Sequence, residues 1–72
     1  MTTPTIDEVY EAAVKICKKA KSVQKFAAKA SILEVQLIDC YFNREERGDE
    51  ALQEMFRKII ELGENAEPYL AD

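Results

Sequence analysis

Five acidic side chains crowd one short stretch in the second half of the chain: Glu45, Glu46, Asp49, Glu50 and Glu54. Carboxylates at this density are the raw material of a calcium loop or an acid–base pair. A calcium loop beginning at Asn43 would place Gly48 at its sixth position and Glu54 at its twelfth, as an EF-hand requires. The rest of that register fails, because Arg47 would fill a ligand position and Glu50 the position that is usually apolar. A di-iron carboxylate bundle needs Glu-x-x-His pairs, and the chain has no histidine. Carboxylate pairs for glycosidic chemistry need a cleft, which three short helices hardly provide. The group reads as a solvated loop and helix start, so no catalytic and no metal-ligating residue is expected.

Lysine supplies the second chemical pattern. Residues 1–33 carry six lysines against three acids, net +3, whereas residues 34–72 carry four bases against eleven acids, net −7. All six lysines lie between Lys15 and Lys29, and no acid occurs from Ala12 to Leu33. Lys15, Lys18, Lys19, Lys25 and Lys29 therefore form a candidate stripe for an anionic partner. On nucleic acid each lysine would release condensed counterions from a phosphate. Against nucleic acid stand the overall charge of −4, the lack of arginine in the stretch, and Phe26 as its sole aromatic for stacking. A solvated helix face, turned toward the acidic last helix of its own or a neighbouring subunit, is the preferred reading.

Cys17 and Cys40 are too few for a disulfide framework and lack the CxxC spacing of a zinc site. Reactive thiols usually need a histidine or a helix N-terminus nearby. Both cysteines fall on apolar phases and read as small buried hydrophobes. An antiparallel pairing of the first two helices could bring them close, although nothing in the sequence specifies a bridge. No cofactor is implied anywhere, and no stretch carries a recognisable family signature.

The elements that hold these residues are helices. Glycine occurs only at Gly48 and Gly63, and proline only at Pro4 and Pro68. Punctuation this sparse argues for helix almost throughout. Thr5-Ile6-Asp7-Glu8 reads as a capping box, followed by an apolar stripe over Ile6, Val9, Tyr10, Ala13, Ile16, Cys17 and Ala20. Lysines 18, 19 and 21 suit the carbonyl end of that helix. The last helix has Asp49 as its cap, a stripe over Leu52, Met55, Phe56, Ile59, Ile60 and Leu62, and Gly63 as its stop. Asn43 to Gly48 reads as a loop. In between, the first stripe continues in phase through Val23, Ala27 and Ala30, which permits one continuous helix to about residue 30. Ser31-Ile32-Leu33-Glu34 resembles a second capping box. Packing favours a break near Lys21-Ser22 instead, since that yields three helices of similar length.

Residues 32–42 carry eight apolar side chains in eleven, directed nearly all the way round a helix. Such a helix must be buried on every side, and two short neighbours cover about two thirds of it. Alternation at Leu33, Val35 and Leu37 gives the segment some strand character, but a lone strand has no partner within the chain. Ile32, Val35, Ile38, Tyr41 and Phe42 are accordingly the expected interface to a second copy or another protein.

The chain is thus expected to be all-α: one domain over 1–72, a bundle of about three helices near 5–21, 23–43 and 49–63, or with the first two continuous, and 64–72 a frayed acidic tail unless Tyr69 and Leu70 fold back onto the bundle. Seventy-two residues bury little apolar area, and domains this small often need a staple or a partner. The N-terminus lacks the pattern of a signal peptide, and no apolar run approaches a membrane span, so the cytoplasm is the expected compartment. The function expected is a non-catalytic protein-interaction module (a regulator, adaptor or inhibitor) acting as a homodimer or higher oligomer and on another protein. A nucleic-acid-binding protein using the lysine stripe is the alternative.

Overall fold

The computed structural model describes Thr3–Leu70, and among these residues there is no strand. The elements are α1 (Ile6–Lys21), α2 (Gln24–Phe42), the single turn α3 (Arg44–Arg47) and α4 (Asp49–Leu70). α1 starts where the sequence signal places it. The Thr5 hydroxyl accepts from the Glu8 amide at 3.2 Å, and the Glu8 carboxylate accepts from the Thr5 amide at 3.3 Å. The chain breaks at Ser22–Val23, so the first two helices are separate and the second capping-box pattern, at Ser31, lies inside α2. The Ser22 hydroxyl donates to the Lys19 carbonyl at 2.6 Å, drawing off an acceptor at the helix end, as serine does. The Ser22 and Val23 amides turn back to Lys19 and Ala20 at 3.1 Å each. Val23 starts α2 without a side-chain cap; packing, not capping, fixes this helix.

The expected loop from Asn43 to Gly48 is instead largely a helical turn. The Asn43 side-chain amide donates to the Asp39 carbonyl and carboxylate, both at 2.9 Å, and closes α2. Gly48 then reverses the chain at φ +86° and ψ 160°, a region that only glycine occupies readily. A Cβ there would meet nothing within 4 Å, so the requirement is conformational. Asp49 is the first residue of α4 and not the cap before it.

The largest departure lies at the C-terminus. Gly63 does not stop the last helix, and residues 64–70 are not frayed: α4 runs on to Leu70, and Ala66 is fully buried. Asp72, at the end of the expected tail, lies outside the described residues. The buried positions Leu52, Met55, Ile59, Leu62 and Ala66 keep one unbroken three-and-four spacing past Gly63. Tyr69 closes the last turn onto α2, its ring 5.6 Å edge-on from Phe26, with the Lys25 ammonium 5.3 Å from its centroid.

α1, α2 and α4 pack on one another around a single core. α1 contributes only small buried residues, Ala13, Cys17 and Ala20, while α2 and α4 fill the space with Leu33, Leu37, Leu52, Met55, Ile59 and Leu62. Small residues facing large ones let the helices interdigitate closely. Gly63 takes this furthest: a Cβ added to it would come within 2.8 Å of Ile16 Cγ2. The glycine marks the contact of α4 with α1. No buried polar or charged side chain occurs among the described residues.

Candidate interaction surface

α2 divides its apolar side chains between two opposed faces. Ala30, Leu33 and Leu37 enter the core, with Cys40 half-buried beside them. The opposite face is open to solvent at Phe42 (71%), Val35 (66%), Ile32 (58%) and Ile38 (38%). Spacings of three, three and four residues keep these side chains on one side of the helix. Ala28, also exposed, extends the row one turn toward the N-terminus. From Ala28 to Phe42 the row is about 21 Å long at 1.5 Å per residue.

Of the five side chains expected at this interface, Tyr41 does not share the face. Its ring stacks on Tyr10 of α1 at 3.8 Å and 11°, its hydroxyl donates to Asp7, and the Arg44 guanidinium lies 4.6 Å from its centroid. The hydrogen bond to Asp7 pushes the Tyr41 phenol above its ordinary pKa, with burial and the carboxylate's charge acting in the same direction. Tyr41 instead supports the face: Phe42 packs edge-on against Tyr41 at 5.3 Å and Tyr10 at 6.5 Å. A large ring held from behind and exposed in front loses little freedom on contact, which suits it as an anchor.

A second apolar recess was not anticipated. Between α1 and α4, a groove of about 690 Å³ is lined by Ile16, Ala20, Ile60, Gly63 and Leu70, with Lys19 on one rim and Glu64 and Glu67 on the other. Its sequence signal is Gly63, which ends no helix here; a glycine inside an otherwise periodic stripe also marks close helix approach.

The five lysines of the expected stripe lie on two helices. The turn at Ser22–Val23 puts Lys15, Lys18 and Lys19 on α1 and Lys25 and Lys29 on α2. Lys19 shares the groove with Glu64 and Glu67, and Lys29 shares a recess with Lys58 and Glu61. Lys25 donates to the Tyr69 hydroxyl at 3.2 Å, and Lys21 is paired with Glu34.

Glu45 and Glu46 lie on α3 and Asp49 and Glu50 in the first turn of α4, all exposed. Among the described residues, no three His, Cys, Asp or Glu side chains gather in a geometry that could hold a metal ion. Cys17 is buried and Cys40 half-buried, and both are free. Burial, and then the nearby Glu34 carboxylate, push the Cys17 thiol up, while Lys21 opposes them. A thiol shifted this way is a poor nucleophile. Among the described residues, no helix is long and apolar enough to cross a membrane. The chain matches no family model, no curated protein and no solved structure.

Proposed function

We propose that this chain is a small non-catalytic protein-interaction module that works through the outward face of α2 and self-associates there. One observation carries the reading: Ile32, Val35, Ile38 and Phe42 form an exposed apolar row on a helix whose other face already closes the core. Soluble monomers seldom leave a contiguous apolar patch of this kind uncovered. The division of the lysines between two helices, with Lys19 beside Glu64 and Glu67 and Lys25 held on Tyr69, favours this reading over a polyanion-binding surface. A reducing cytoplasm suits it, since both cysteines are free.

Light scattering at micromolar concentration tests the proposal. The expected mass is at least twice the 8.2 kDa of one chain, and Val35→Glu should return it to one chain with helicity unchanged. In the free chain Val35 is largely exposed, so glutamate there costs the fold little. In an interface the same carboxylate is buried without a partner, at several kcal/mol. A monomeric wild type that melts cooperatively would refute self-association. Sub-micromolar binding to mixed nucleic acid, falling steeply with salt, would promote the lysines over the apolar row.

A further inference from the structure

Resting on the reading of α2 as a self-association face, we infer that two copies pair through antiparallel α2 helices, with the two-fold axis passing beside Val35. The exposed row is symmetric in its spacing about that residue. Three positions away on either side stand Ile32 and Ile38; seven positions away stand Ala28 and Phe42. Turning a second copy end for end therefore brings isoleucine to the height of isoleucine, and the large Phe42 ring to the height of the small Ala28. Large against small is the arrangement that fills space without voids or overlap. A parallel pairing would set Phe42 against Phe42 at one end and leave Ala28 against Ala28 as a gap at the other.

Charge selects the same orientation. Before Val35 the row is flanked by Lys29, which shares a recess with Ile32, and the one acid of that half of α2, Glu34, is paired with Lys21. Beyond Val35 come Asp39 and, on α3, Glu45 and Glu46, offset in part by Arg44 and Arg47. Arg47 already holds Asp39 at 2.8 Å. An antiparallel pair brings Lys29 of each copy toward the acidic end of the other, whereas a parallel pair sets Lys29 against Lys29. A two-fold interface must be self-complementary in this way, and opposed like charges are penalised more than rim pairs are rewarded. A standard interface buries about 800 Å² per partner, so the polar flanks, with Ser31, Lys29 and Asp39, must form the rim around the apolar row.

Thiol cross-linking tests the orientation separately from the association. Ala28→Cys and Phe42→Cys are each made in a Cys40→Ser background, in which Cys17 is buried, and oxidised alone and as an equimolar mixture. The expected result is a disulfide dimer in the mixture and none from either variant alone. The mixed pair keeps one intact Phe42–Ala28 contact, so the loss of one ring does not remove the interface. As a second measurement, nitroxides at Gln24→Cys, an exposed site at the start of α2, should lie about 30 Å or more apart, from 1.5 Å per residue over the 22 positions separating their heights. Cross-links within Ala28→Cys alone, with nitroxides near 10 Å, would overturn the antiparallel pairing and leave the α2 reading standing. A dimer that gives no cross-link at either site and survives Val35→Glu would overturn both, as would a monomer.

Discussion

Gly63→Ala offers a sharp check on the packing, because two opposing effects of known size meet at one atom. Alanine in a helix interior is favoured over glycine by about 1 kcal/mol, so at an indifferent site the substitution would stabilise α4. Here the new methyl would sit 2.8 Å from Ile16 Cγ2. That atom cannot swing aside cheaply, since a β-branched residue in a helix has one strongly preferred χ1. Overpacking of this kind costs about 1–3 kcal/mol, so the expected net loss reaches about 2 kcal/mol. For a domain of this size 1 kcal/mol moves Tm by about 4–8 °C. Thermal melts by circular dichroism read this directly, at one fixed protein concentration because self-association makes Tm concentration-dependent. Ile16→Ala removes the obstructing methyl, so in that background Gly63→Ala should turn stabilising by about 1 kcal/mol. The cycle then gives a coupling energy of about 1–3 kcal/mol, the range expected of residues in contact. If Gly63→Ala raises Tm in the unaltered chain, α1 and α4 do not meet at Gly63 and the argument fails.

Three other outcomes follow from the same structure. Gly48→Ala should lower stability by about 1–3 kcal/mol, because its φ of +86° with ψ of 160° disfavours any Cβ; chemical denaturation with an unchanged m-value checks it. A soluble alkylating agent at neutral pH should label half-buried Cys40 well before buried Cys17, as followed by peptide mass, and equal rates would contradict the burial of Cys17. Stability should fall on the alkaline side, from about pH 9 upward. The Cys17 thiol and the Tyr41 phenol are both raised in the fold, so the native state holds protons that the unfolded chain releases first. A flat urea midpoint across that window would count against both assignments.

Local signals were legible in the sequence wherever a side chain acts on its own backbone. The Thr5 capping box and the start of the last helix near Asp49 depend on neighbours three or four residues away. So does the exposed row on α2: eight apolar residues in eleven cannot all face one core, and Ile32, Val35, Ile38 and Phe42 are the ones left outside. Tertiary structure decided the rest. Serine at position 22 permits a turn without requiring one, and the stripe continues in phase across it; the turn lets α1 and α2 pack side by side around one core. Gly63 carries the same letter whether it ends a helix or admits a neighbour, and only the position of Ile16 distinguishes the two. Tyr41 has an interface residue's chemistry, yet Tyr10 and Asp7, more than thirty positions away, draw it inward. Sequence periodicity places a side chain on a face of its own helix, but what stands opposite that face is a property of the other helices.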